Sequence, residues 1–330
     1  MTPHQSHTLG TVRDTRVYES ALRSQWVVGW GAPGAVTGSL PEVIAVFGQT
    51  ASGKSTVAEA LATRLGTEVV SADAFQVYRD LPILTNQPGR PTRLVAIRDL
   101  TEEMSVAEYA AIAHREIDEL VAANGAAVVA GGTGLYLRAA LVELNVPPPP
   151  VEGARERLEG LYDTDARSTH LRLAELDPAA AAIVHPNDRR RVVRALELAE
   201  QGASLVPRED TLWSMETRRP TLVVGLDMDR EALERRIRAR TEEMFERGVV
   251  AEVRKALERP VSRTAEKTLG LRELAELPPE EALERIVTRT RRYAAYQRKW
   301  MRRIPGVVMI DADRPVEQVV DAILDVARAR

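Results

Sequence analysis

The first residues able to do chemistry are Gly48, Gly53, Lys54 and Ser55, set within Gly48-Gln49-Thr50-Ala51-Ser52-Gly53-Lys54-Ser55. The order G-x-x-x-x-G-K-[ST] lets the backbone curl so that several N–H groups converge on phosphate oxygens at the positive end of a helix. Lys54 adds a point charge, and the Ser55 hydroxyl is placed for Mg²⁺. By spacing alone this loop suits kinases, nucleoside triphosphatases and other diphosphate users equally, with ATP and phosphoryl transfer the first thought. A second kind of chemistry lies near the other end. Arg289 to Arg303 holds seven Lys or Arg and no acidic residue, a local density that fits an RNA backbone. Tyr293, Tyr296 and Trp300 recur through it at helical spacing. They could stack unpaired bases, but a stripe at this spacing predicts core. Arg189, Arg190, Arg191 and Arg194 make a second basic cluster.

These residues need a scaffold. Val43 to Phe47 is a short apolar run between Pro41 and Gly48, the pattern of a fully buried parallel strand. Lys54 to Leu65 follows as a helix with Val57, Leu61 and Leu65 on one face and Gly66 at its end. Glu68 to Ser71 is a second strand. Ser105 and Glu108 form a capping box, followed by a helix to Asn124-Gly125 and a third strand over Ala126 to Ala130. This alternation predicts a doubly wound parallel sheet. It breaks at Pro147 to Pro150, and helices alone run to about Gly202, one of them opened by Asp177-Pro178. Strand patterning returns at Thr221 to Leu226 and Val307 to Ile310. The expected fold is α/β: a P-loop NTPase-like parallel sheet with helices on both faces, interrupted by a small all-helical insertion. The expected divisions are a weakly ordered extension over 1–40, core over 41–142, insertion over 143–202, and core again over 203–330 with a basic C-terminal helix.

Composition narrows the field further. The net charge of −3 excludes a uniformly basic coat but not a local basic face. The absence of cysteine removes disulfides, thiolate nucleophiles and cysteine-bound zinc, and suits a reducing cytoplasm. No run reaches the roughly 20 apolar residues of a membrane helix. Arg13, Arg16, Glu19 and Arg23 do not read as a signal peptide. A monomer is the expected state.

Four motifs in order carry a resemblance: the P-loop, Ser71-Ala-Asp-Ala-Phe-Gln-Val-Tyr78, Ala130-Gly-Gly-Thr-Gly-Leu-Tyr136, and His185-Pro-Asn-Asp-Arg-Arg-Arg191 with Arg194-Ala-Leu-Glu197. From about Val43 to Arg303 the chain resembles the tRNA dimethylallyltransferase (tRNA isopentenyltransferase) family. The resemblance implies transfer of a five-carbon prenyl group from dimethylallyl diphosphate to the exocyclic N6 amine of an adenosine beside the anticodon. Gly48 to Ser55 would then hold a departing diphosphate, with Mg²⁺ at Ser55. Asp73 is the position carried over as general base, a strand-end aspartate that otherwise organises Mg²⁺ or caps a helix. Thr50 and Thr133 match positions near the substrates, and Arg236 and Arg240 match arginines assigned to clamp diphosphate. By spacing alone these two arginines are a solvated helix face with partners such as Glu243. The tRNA contacts implied are Asp73, Ala74, Phe75, Gln76 and Thr133, then Arg155, Arg190, Arg191 and Arg194, then Arg291, Gln297 and Arg298.

The chain also departs from that pattern. Ala74 stands where serine is usual. Leu84-Thr-Asn-Gln-Pro88 lacks the glycine and lysine of Gly-Thr-Ala-Lys-Pro. Pro91-Thr-Arg-Leu94 lacks histidine, and Thr268-Leu-Gly-Leu-Arg-Glu273 has leucine for tyrosine. These losses cluster on the acceptor side. Rival readings are prenylation of a free adenine nucleotide, a small-molecule kinase, and a non-catalytic nucleotide- or RNA-binding protein.

Overall fold

The structure is a computed structural model that describes residues 40–144, 148–206 and 211–330. The extension expected over 1–40 therefore lies outside the described residues, Leu40 apart, as does Pro147 of the proline run.

Five parallel strands form one sheet in the order β2-β3-β1-β4-β5, with β1 at Val43–Gly48, β2 at Val69–Ser71, β3 at Ala127–Gly131, β4 at Thr221–Asp227 and β5 at Val308–Asp311. Every residue of β1 is buried, which is why its sequence is continuously apolar rather than alternating. Its register pairs Val43 with Ala127 on one side and with Thr221 on the other. Successive β1 residues point to opposite faces. Ala45 and Phe47 join a core with Tyr109, Ile117 and Leu137. Ile44 and Val46 join another with Leu61, Ile237 and Ile323.

The helices covering these faces begin and end where local chemistry dictates. Helix α1, Lys54–Leu65, stops at Gly66 in a left-handed conformation. Helix α2, Val106–Asn124, starts where Ser105 Oγ accepts the Glu108 N–H at 3.1 Å. Only the serine half of the expected capping box forms among the described residues. The Glu108 carboxylate instead receives Arg98. Helix α3, Gly134–Leu141, follows β3.

Four helices then come without a strand: α4 (Ala154–Thr164), α5 (Ala166–Leu176), α6 (Pro178–Ile183) and α7 (Arg189–Ala199). Asp177 caps α6 by accepting from the Ala180 N–H at 3.0 Å, and Pro178 occupies its first turn. Leu158, Tyr162, Leu173, Val192 and Leu196 give this group a small apolar core of its own. The chain returns through β4 to α8 (Arg230–Glu246), α9 (Val249–Ala256), α10 (Leu271–Glu276) and the long α11 (Pro279–Met301), and after β5 it ends in α12 (Val316–Arg328). Among the described residues no helix is long and apolar enough to cross a membrane.

Candidate active site

The P-loop leaves β1 at the carboxyl edge of the sheet, where open parallel sheets bind ligands. Gly53 caps α1 with φ at 84°, a left-handed conformation free of strain only for glycine. Ala51 is also left-handed, φ 64°, and the turn around it is closed by Ser52 N–H donating to Gln49 O at 3.2 Å. The loop is braced from far along the chain. Gln297 on α11 accepts the Thr50 N–H at 2.7 Å and donates to Gly132 O at 2.8 Å. Gln49 in turn donates to Ala294 O on the same helix at 3.0 Å.

One cavity opens in front of this loop. Thr50, Ala51, Lys54 and Ser55 line one side, Asp73, Phe75 and Gln76 another, and Arg240, Thr290 and Tyr293 a third. Leu84, Ile237, Met244, Leu269 and Ile286 add an apolar wall. A polar end built for phosphate thus adjoins a greasy end.

The polar end is electrostatically loaded. Burial pushes the Lys54 ammonium down to about 8; Asp73 opposes this, and Arg240 adds to it. Burial likewise draws Arg240 down, with Asp73 pulling the other way. Burial, reinforced by Asp73, raises the Tyr293 phenol, which stays protonated. Two cations held out of water, with Asp73 acting on both and Glu243 on Arg240 alone, form a site that is short of hydrated or paired negative charge. An anion would relieve it.

Asp73 sits just past β2, with Oδ1 accepting the Phe75 N–H at 3.0 Å, so one oxygen organises the turn. Thr133 Oγ1 accepts the Ala74 N–H at 3.2 Å and lies 3.5 Å from Tyr293 Oη. Arg240 donates to Thr50 Oγ1 at 3.0 Å, while Glu243 lies by Arg247. Of the two readings of Arg240, the structure gives the one that faces the loop. Arg236 is exposed, 3.4 Å from Asp313 Oδ1, and stands at the rim near Gly53 rather than in the cavity wall.

Several residues expected on the RNA side are otherwise engaged. Gln297 is only 2% exposed and spends both amide atoms on protein. Gln76 accepts from Ser71 Oγ at 2.9 Å and donates to Asn86 O at 2.9 Å, tying down the departing segment 84–88. Arg155 and Arg194 both reach Glu197, a carboxylate 1% exposed, at 2.6 and 3.0 Å. Burial works against that charge, but the two arginines outweigh it and hold Glu197 low. Arg298 pairs with Asp227 and Arg291 approaches Glu234 at 3.8 Å. Arg190 and Arg191 are exposed. The core reading of the aromatic stripe holds for Trp300, half-buried against the apolar core, and is corrected for the other two: Tyr293 lines the cavity and Tyr296 is 55% exposed.

The sequence pattern did not reveal Glu252. Its carboxylate accepts the Ile83 and Leu84 N–H groups, both at 2.8 Å, and so positions the apolar wall. A lone glutamate on an amphipathic helix gives no signal of a partner some 170 residues away.

The comparisons with known proteins agree with one another. The family model described as IPP transferase matches residues 76–304. The tRNA dimethylallyltransferase of Thermobifida fusca is 41% identical over 293 residues, covering 83% of this chain and 91% of the relative. That of Streptomyces griseus is 39% identical over 287 residues, covering 82% and 91%. The solved tRNA isopentenylpyrophosphate transferase of Bacillus halodurans superposes with a TM-score of 0.62 at 30% identity, over 87% of this chain and 96% of that one. A eukaryotic dimethylallyltransferase acting on tRNA gives 0.70 at 25%, over 87% and 80%. With a family model spanning most of its length and relatives near 40% identity, this chain belongs to the IPP transferase family.

Proposed function

We propose that this chain is a tRNA dimethylallyltransferase, moving a dimethylallyl group from dimethylallyl diphosphate to the N6 amine of the adenosine 3′ of the anticodon. The observation that carries it is the joining of a cation-rich P-loop, an apolar wall and Asp73 in one cavity. The apolar wall beside the phosphate end is complementary to a prenyl chain attached to a diphosphate.

In this reaction the allylic C–O bond breaks, a C–N bond forms, and diphosphate leaves. Negative charge accumulates on the leaving oxygens, where the loop N–H groups, Lys54 and Arg240 stabilise it. Arg236 at the rim would close over the same anion. The amine loses a proton as it bonds to carbon, and the free oxygen of Asp73 is the acceptor. Thr133, through its bond to Ala74 N–H, fixes the turn that presents Asp73. Mg²⁺ is commonly held by one or two protein oxygens plus substrate phosphates, and the Ser55 hydroxyl in the cavity lining is an oxygen of that kind. Ser55 would hold it, and it would supply further charge neutralisation on the diphosphate. The exposed Arg190 and Arg191, with the cations of α11, would take tRNA phosphates. The working unit is a monomer acting in the cytoplasm, in keeping with a chain that contains no cysteine.

Labelled dimethylallyl diphosphate with Mg²⁺ and either unmodified tRNA or adenine nucleotide provides the test. Label in tRNA is the expected result; label only in nucleotide, or none at all, sinks the proposal. Asp73→Asn should abolish transfer while diphosphate still binds, and full turnover by this variant would remove Asp73 as the base.

A further inference from the structure

The aromatic residues of α11 do not share one core face: Trp300 packs against the apolar core, while Tyr296 is exposed. Trp300 packs over Gly134, the first residue of α3, where a Cβ would collide with the indole ring. Its other neighbours are Trp213, with ring centroids 5.0 Å apart, and Tyr296, edge-on at 6.4 Å. Arg303 lies over Trp213 at 4.0 Å. A stack therefore runs from Arg303 through Trp213 and Trp300 and ends in Tyr296, whose side chain projects into solvent at 55% exposure. Tyr296 is one turn beyond Tyr293, which lines the cavity.

The helix face around Tyr296 is cationic. Arg292 and Lys299, at i−4 and i+3, are exposed and make no ion pair among the described residues, and the same holds for Arg302 just past the helix end. A free aromatic face flanked by free cations, with no acidic residue in the tract, is complementary to single-stranded nucleic acid: cations take phosphates and the ring takes a base. Trp213 and Trp300 hold the tyrosine's base of support rigid, so little side-chain entropy is lost on stacking.

We infer that Tyr296, backed by Trp300 and Trp213, is a stacking platform for an unpaired base of the RNA substrate next to the one whose amine is modified. This rests on the tRNA reading above and assigns it a positioning residue. An extruded base leaves a gap in its own stack, and a protein ring beside the entrance holds the neighbouring base in place.

The test measures steady-state transfer to an unmodified anticodon stem-loop RNA by wild type, Tyr296→Ala and Tyr296→Phe. Tyr296→Ala should raise the RNA KM by roughly 5- to 150-fold, the range expected for one lost base stack. The KM for dimethylallyl diphosphate and kcat should stay unchanged. Tyr296→Phe should restore the wild-type RNA KM. The slope of RNA affinity against salt should be equal in all three proteins, since no charge is removed. An RNA KM within twofold of wild type for Tyr296→Ala overturns the platform, and so does a changed salt slope or failure of rescue by phenylalanine. Wild type that labels no RNA overturns the functional reading itself, a result separable from any of these.

Discussion

Replacing Lys54 by methionine should make the ligand-free protein more stable and unable to hold diphosphate. In the folded chain the ammonium is pushed from 10.5 to about 8 by burial and by Arg240. At neutral pH the folded state therefore keeps a charge it disfavours by about 3 kcal/mol, at 1.36 kcal/mol per pKa unit. Methionine keeps the aliphatic stem and removes the charge, but it also takes from Asp73 one of its two cations. The expected net gain is about 1–3 kcal/mol, or a Tm rise of roughly 1–4 °C for a chain of this size. The pH dependence has a definite sign. Between about 8 and 10.5 the unfolded chain binds the Lys54 proton and the folded chain does not, so wild-type stability rises with pH across that window. Below about 8 both states are protonated and the gap to the variant is constant; above 10.5 it has closed. Thermal melts from pH 7 to 10.5, with and without inorganic diphosphate, read both effects. Diphosphate should raise the wild-type Tm and leave that of Lys54→Met unmoved. A variant no more stable than wild type at pH 7, or a gap that fails to narrow in alkali, would refute the claim that this site is strained for want of an anion.

Two further substitutions probe the braces. Gln297→Leu fills the same space but leaves Thr50 N–H and Gly132 O without their partner; diphosphate affinity measured by calorimetry should fall about tenfold, within the roughly 1–3 kcal/mol that an orphaned buried group costs. Glu197→Ala takes the shared carboxylate from Arg155 and Arg194 and should cost about 2–4 kcal/mol, seen as faster hydrogen exchange over residues 154–199 with the sheet unaffected. For the same reason the contribution of Glu197, whose pKa is depressed, is complete above the ordinary carboxylate range and is lost as pH falls below it.

Much of the fold was legible because its signals are local. The run Val43–Phe47 could only be a doubly buried strand, Asp177-Pro178 could only open a helix, and the P-loop declares itself by glycine spacing. Strand ends shifted by a residue, as at Ala126, since pairing rather than apolarity sets them. The site was legible in its residues and only partly in their duties. Gln297, Gln76, Arg155 and Arg194 are expected to face RNA, and each has a protein partner, distant along the chain for Gln297 and Arg155 and nearby for Gln76 and Arg194. A side chain's partner is set by tertiary packing, of which single-sequence spacing says nothing. The exposure of Tyr296 was hidden for a related reason: helical periodicity gives a shared face, and whether another element covers that face depends on the rest of the fold.

The bracing of the phosphate loop by α11 has a consequence for how the protein is made. Strands β1 to β3 are complete within the first 131 residues, and β4 joins β1 only after the helical segment has been threaded. The loop's braces come later still, from residues 294 and 297. Closing so long a loop costs only slowly more entropy as it lengthens, but it cannot happen before those residues leave the ribosome. An interrupted chain could assemble part of the sheet yet would present an unbraced loop, so the capacity to bind diphosphate arrives late in synthesis and all at once.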